Sequence, residues 1–239
     1  MIDPGGGVSA SPPFSSQEVR LRLLDHNPKT VVLLGMGPSL TSYLEDTLTQ
    51  ELGTDFCDEI WAINMAANCM WHDVGFWMDD LKDQHSKWPH LFDLIRKRAR
   101  PVITSVAYPE VYDKSYGFPF KETAPIGVAA FGRPYMNNGV AMAIAYAMWK
   151  GVEKMKLYGC DFTYPNRVFA EEGRACVEAW LTLASERGMK IEIAKSTSLF
   201  DAETNRGVYG YAKQPVWIGP DGEPRCYAKP GETPPDLTV

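Results

Sequence analysis

Read as an alternation of apolar and polar positions, the chain divides into short β-like runs separated by helical periods. Thr30–Leu34 is a run of strand formers, and after it Leu40, Tyr43, Leu44 and Leu48 recur at steps of three and four, the spacing of one helix face. Pro38 falls at the first helical position, where its missing N–H does no harm. Glu59–Asn64 and Val74–Met78 predict the second and third strands, and His85–Arg98 a helix carrying Trp88, Leu91, Leu94 and Ile95 on one face. Pro101–Ser105 predicts the fourth strand. The run "NNGVAMAIAYAMWKG" is apolar around most of its circumference and ends in a glycine, the pattern of a buried helix with a glycine C-cap. Lys156–Gly159 predicts a fifth strand, Ala170–Arg187 a helix closed by Gly188, and Lys190–Ala194 a sixth strand.

Strands alternating with helices predict an α/β fold with a mostly parallel sheet of about six strands and helices on both faces. The stretch 106–136 interrupts the alternation. It is long and rich in aromatics (Tyr108, Tyr112, Tyr116, Phe118, Phe120, Phe131, Tyr135) with glycines and prolines between them, and a connection of that length predicts a lid-like insertion. Residues 1–28 and 213–239 are rich in Gly, Pro and Ser and predict flexible tails flanking one domain over 29–212.

Composition narrows the function classes. With 45% hydrophobic and 12% aromatic residues the chain of 239 residues has the means for a substantial core. A net charge of −6 argues against general nucleic-acid binding and against an anionic membrane surface. The densest cationic cluster, Arg96, Lys97, Arg98 and Arg100, reads as the solvated last turn of a helix. Cys57, Cys69, Cys160, Cys176 and Cys226 are scattered without a CxxC, the usage of free thiols in a reducing cytoplasm. No apolar run is long enough to cross a bilayer and no signal-peptide pattern opens the chain, so the expected location is the cytoplasm.

In sheets of this class ligands bind outside the carboxyl ends of the strands, so the residues at those ends carry the functional expectation. "VVLLGMGPSL" has neither the third glycine of GxGxxG nor the GK[ST] of a P-loop, yet a strand entering glycines and then a helix is a place where backbone N–H groups meet an anion. Gly35, Gly37 and Ser39 follow strand one, Asn64 strand two, Asp79 and Asp80 strand three, Ser105 strand four, Cys160 and Asp161 strand five, and Ser196 to Ser198 strand six. Asn137, Asn138 and Gly139 open the buried helix as anion ligands or as plain helix caps. Asp79 and Asp80 read either as divalent-cation ligands or as a cap before "LKDQHSKW". Glu171 and Glu172 read either as general bases or as first-turn acids favoured by the helix dipole. The histidines His26, His72, His85 and His90 show neither HxxxH nor HExxH spacing, and no GxSxG elbow occurs.

Across roughly residues 30–195 these motifs resemble a Rossmann-like superfamily. It comprises the family 42 bacterial sialyltransferases, the motility-accessory-factor glycosyltransferases and the archaeal 6-hydroxymethylpterin diphosphokinases. The resemblance is carried by "VVLLGMGPSL", "EIWAIN", "GFWMDD" and "NNGVAMAIAYAMWKGVEKMKLYGCDF". It implies a Rossmann-like fold and, by motif position, nucleotide binding by Gly35, Gly37, Pro38, Ser39, Asn64, Asp79, Asn138 and Gly139. Asp79 stands where the sialyltransferases tend to carry Asn, and no histidine follows His90 to match their general base. The diphosphokinase branch implies Mg²⁺ held by Asp79, Asp80 and Asp161.

The expected function is therefore a divergent glycosyltransferase using a nucleotide-sugar donor, with acceptor and oligomeric state left open. Asp161, Glu171 and Glu172 are the candidate bases, and Tyr164, Arg167 and Arg174 the groups expected to steady the departing phosphate. The alternatives are a Mg²⁺-dependent diphosphokinase or nucleotidyl/phosphoryl transferase, and a nucleotide-binding protein without catalysis.

Overall fold

The structure, a computed structural model, describes residues 26–49, 56–202, 216–218 and 224–226. Its centre is a seven-stranded sheet built from β1 (Thr30–Leu34), β2 (Glu59–Ile63), β3 (Val74–Trp77), β4 (Val102–Thr104), β5 (Ser115–Gly117), β6 (Lys154–Tyr158) and β7 (Lys190–Ile193). The strand order is β5-β4-β3-β2-β1-β6-β7, and every neighbouring pair is parallel. Separately, β8 (Val216–Ile218) pairs antiparallel with β9 (Pro224–Cys226) inside the stretch expected to be a tail.

The alternation of side chains along β1 assigns the two faces. Val31 and Leu33 belong to the larger core cluster with α6 (Gly139–Lys150) and α7 (Arg167–Glu186), whereas Val32 and Leu34 pack with Tyr43 of α1 (Leu40–Thr49) and Ala66 and Ala67 of α2 (Ala66–Cys69). All four are fully buried, as expected for a central parallel strand covered on both sides. On α6 half of the buried positions are alanine, while Tyr146 packs edge-on against both Trp61 and Phe76 of the sheet. A third cluster gathers Trp77, Leu81, Ile95, Val102 and Tyr112 under α3 (Leu81–Lys87) and α4 (Pro89–Arg98).

The structure adds detail to three expectations. The sheet has seven strands, because Ser115–Gly117 adds an edge strand to Val102–Thr104. The helix expected over His85–Arg98 is two helices, since Pro89 opens a new one and Trp88 before it adopts φ −137°, ψ 66°. The stretch 106–136, expected as a lid-like insertion, supplies β5 and α5 (Phe120–Phe131), and its Phe118 lies in the main core. Among the described residues no helix is long and apolar enough to cross a membrane.

Candidate functional site

From β1 the chain steps outward through β2, β3, β4 and β5, then returns to lay β6 against the other side of β1. The direction of winding reverses between β1 and β6, and a crevice opens outside the carboxyl ends of the strands at such a point. The glycine turn sits there, but it does not offer its amides to a ligand. Gly35 N–H donates to the Tyr158 carbonyl (2.8 Å) and Gly37 N–H to that of Gly159 (2.7 Å). Ser39 donates from N–H to Asp161 Oδ2 (2.7 Å) and from its hydroxyl to Oδ1 (2.5 Å), and accepts from Gly159 N–H (2.8 Å). Leu40 N–H bonds the Gly37 carbonyl (3.0 Å). The expectation that this turn grips a phosphate through Gly35, Gly37 and Ser39 is thereby overturned. The glycines have another cause. A Cβ on Gly35 would overlap the Gly159 carbonyl oxygen, one on Gly159 would overlap that of Gly35, and one on Gly37 would overlap Asp161 Oδ2. They let two strand ends touch.

Beyond this lock lies a cleft of about 350 Å³. Gly35, Gly37 and Pro38 form part of its wall, as expected, together with Asn64, Asp161 and Tyr164. Met36, Ile63, Met65, Val140, Gly159, Cys160, Phe162 and Thr163 complete the lining. The unsatisfied donors are on the segment after β6. Among the described residues the amides of Asp161, Phe162 and Thr163 have no acceptor, nor has that of Met36 across the cleft. Phe162 is held at φ 50° and Asn64 at φ 48°, a left-handed backbone that asparagine tolerates and an aromatic residue adopts only under constraint. The Phe162 ring packs directly on Gly173 of α7, where a Cβ would come within 2.7 Å of it. Asn64 Oδ1 is buried without a hydrogen-bond partner, an orphan acceptor in the cleft wall. None of the described lining residues is Lys, Arg or His.

The other expected residues lie elsewhere or are already engaged. Asp161 is buried with each carboxylate oxygen accepting from Ser39, so it clamps the glycine turn to the end of β6. Asp80 caps α3 by accepting from Lys82 and Asp83 N–H, which holds its carboxyl below the usual range, and Asp79 is exposed beside it. The Mg²⁺ trio is corrected accordingly: no group of three His, Cys, Asp or Glu able to hold a metal occurs among the described residues. Asn138 caps α6 through Ala141 N–H (2.9 Å) and donates to the Gly173 carbonyl (3.1 Å) and Asn137 Oδ1 (2.8 Å), so its amide is committed to joining α6 to α7. Gly139 starts α6 against Ile63. Arg174 is bound to Glu171 (2.7 Å), Asp201 (2.8 Å) and the Ser198 carbonyl (3.2 Å), which raises its own pKa and removes it and Glu171 from the free groups. Glu172 and Arg167 are exposed on the first turns of α7 without an ion pair among the described residues. Tyr164 stands half-exposed at the cleft mouth. Cys160 lines the cleft as a buried thiol whose pKa burial pushes above the ordinary range.

The residues missed from the sequence are the apolar wall: Met36, Ile63, Met65, Val140 and Phe162. A search for polar strand ends passes over them. The signal available was "GCDFTY", an aromatic pair directly after a strand end.

No protein family matches this sequence, and no curated protein matches it. Solved structures similar to the chain include the sialyltransferase CstII from Campylobacter jejuni in complex with the substrate analogue CMP-3FNeuAc. It is 17% identical, with a TM-score of 0.47, over 72% of this chain and 82% of that one. Another is the sialyltransferase CST-II in complex with a trisaccharide acceptor and CMP, 17% identical with a TM-score of 0.47 over 72% and 83% of the two chains. At this level of similarity the architecture and the residue roles rest on the geometry of this chain.

Proposed function

We propose that the cleft between the ends of β1, β2 and β6 binds a nucleotide sugar and that the chain is a glycosyltransferase. The observation that supports this most is the run of unsatisfied amides at Asp161, Phe162 and Thr163, residues that line the cleft together with Met36, at the point where winding reverses. Neutral donors preset around an empty space suit an anion that carries little charge. With no cationic side chain among the described lining residues, a single phosphate is better matched than a di- or triphosphate, which favours a donor of the nucleoside-monophosphate type over a diphosphokinase substrate. Asn64 Oδ1 would accept a hydrogen bond from a hydroxyl or amino group of the nucleoside.

In the transfer step the acceptor oxygen bonds the anomeric carbon while the bond from that carbon to the phosphate oxygen breaks, its electron pair leaving on the phosphate. The cleft amides and the Tyr164 hydroxyl would steady that charge. Of the three candidate bases Glu172 remains, since Asp161 is held by Ser39 and Glu171 by Arg174, and we assign the acceptor proton to it. A reducing cytoplasm is the proposed setting, consistent with free Cys57, Cys69, Cys160 and Cys176.

A second reading, nucleotide binding without catalysis, is favoured by one observation: no side chain lining the cleft is a free acid or base. The two are separated by a melting-point screen across CMP, UDP, GDP, ATP and their sugar conjugates, followed by product analysis with candidate acceptors. A ligand bound at about a hundredfold over its Kd stabilises the fold by about 2.7 kcal/mol. Binding with transfer that Glu172→Gln abolishes supports the enzyme, binding with no transfer supports the second reading, and no stabilisation by any nucleotide overturns both.

A further inference from the structure

The turn that follows β7 is strained and held from several directions. Phe200 and Asp201, in the 3₁₀ turn Leu199–Asp201, both stand in the left-handed region, at φ 54° and 53°. Neither is glycine, and two such residues in succession persist only where the surroundings enforce them. The enforcement comes from α7. Glu178 Oε1 accepts from Phe200 N–H (2.7 Å). Arg174, itself held by Glu171 (2.7 Å), donates to Asp201 Oδ1 (2.8 Å) and to the Ser198 carbonyl (3.2 Å).

What the turn holds in place is the Ser198 hydroxyl, which donates to the Asp161 carbonyl. That carbonyl belongs to the same peptide unit as the Phe162 N–H, one of the cleft amides without an acceptor among the described residues. In a trans peptide the C=O and the N–H point in opposite directions, so holding the oxygen on one side fixes the direction of the N–H on the other. The bond also polarises the unit, because an amide whose oxygen accepts a hydrogen bond donates more strongly from its nitrogen. With the Asp161 carboxylate committed to Ser39, this residue is gripped at both side chain and backbone. Ser198 itself is not among the residues that line the cleft.

We propose that Ser198 is a positioning residue, which sets the direction and donor strength of the Phe162 N–H toward a bound phosphate. Arg174 and Glu178 keep it in place through the strained turn. The proposal rests on the reading that the cleft binds a nucleotide. Ser198 acts through the Asp161–Phe162 peptide and not by contact with the ligand. Its influence is therefore confined to the phosphate, and a nucleoside without one should be indifferent to it.

The test compares the full chain with its Ser198→Ala and Ser198→Thr variants, by amide-resolved NMR and by calorimetry. The probes are CMP, UMP, GMP and AMP, each against its own nucleoside. In Ser198→Ala without ligand the Phe162 amide should move upfield in both dimensions. Affinity for the nucleotide that binds should weaken about fivefold, while affinity for its nucleoside stays within about twofold. Ser198→Thr keeps the hydroxyl and should return both readouts. Asp201→Asn removes the charge opposite Arg174 yet tolerates the left-handed backbone, and should move the Phe162 amide the same way by less. The proposal is overturned if that amide stays in place in Ser198→Ala, or if the nucleoside weakens as much as the nucleotide, which would make Ser198 a general structural support. An amide that moves in Ser198→Ala and returns in Ser198→Thr, in a chain that binds none of the four nucleotides, would sink the nucleotide reading and leave the tether standing.

Discussion

Asp161 commits both carboxylate oxygens to one serine, and the consequence is measurable. Asp161→Asn keeps the shape but supplies one acceptor where two are needed, and its new N–H faces a donor. A loss of about 2 kcal/mol of stability is expected, read from urea unfolding. If Asp161 were instead a free base, stability would be unchanged and only activity lost. His72 makes a second case at this scale. Burial, with Arg98 and Arg100 nearby, lowers its pKa, while its Nδ1–H bonds the Met70 carbonyl at 3.0 Å. The unfolded chain therefore binds more protons than the native one just below the ordinary histidine pKa. The stability contributed by neutral His72 is present above about pH 6.5 and falls as the solution is acidified toward the lowered native pKa. His72→Gln should flatten the fall in melting point over that interval. The same scale shows why Gly35 and Gly37 mislead as sequence. A glycine required by a neighbouring backbone and one required by a phosphate look alike until the partner, here Gly159, is placed.

Helix α7 and the segment after β6 form one working unit. Gly173 stands in the helix interior, where alanine is ordinarily better by about 1 kcal/mol. Here a Cβ would press within 2.7 Å of the Phe162 ring, so Gly173→Ala should reverse that sign. Destabilisation by about 1–2 kcal/mol is expected in thermal denaturation, with weakened nucleotide binding because the cleft wall moves. Stabilisation with unchanged binding would show that Phe162 yields freely and that its left-handed backbone has no part in the site. Much of this scale was legible. The apolar runs gave six strands, the alanine-rich period gave α6, and Gly151 and Gly188 gave the helix ends. Ser115–Gly117 was not, because "SYG" has no apolar period and pairs only through β4. Pro89 carried the α3–α4 break in plain view, and the amphipathic spacing across it concealed it.

At the scale of the whole molecule, the order β5-β4-β3-β2-β1-β6-β7 places the cleft and decides what it can hold. The carboxyl ends of the strands, where ligands are expected, are the edge at which the cleft lies, bordered by Gly35, Asn64, Asp161 and Tyr164. The division of labour among them followed from tertiary pairing that no local pattern encodes. Because Asp161 has both carboxylate oxygens held by Ser39 and Asp80 caps α3, nucleotide affinity in EDTA should match that in Mg²⁺ within about twofold by calorimetry. A strict requirement for Mg²⁺ would return the diphosphokinase alternative to favour.

The most direct measurement is an amide-resolved NMR titration of the isotopically labelled full chain with CMP, UMP, GMP and AMP. The largest saturable downfield shifts are expected at Met36, Asp161, Phe162 and Thr163 with one of these nucleotides, and small ones at Gly35, Gly37 and Ser39, whose N–H groups already have acceptors. Shifts concentrated on Gly35, Gly37 and Ser39, or none at Asp161 to Thr163 with any nucleotide, would contradict the account.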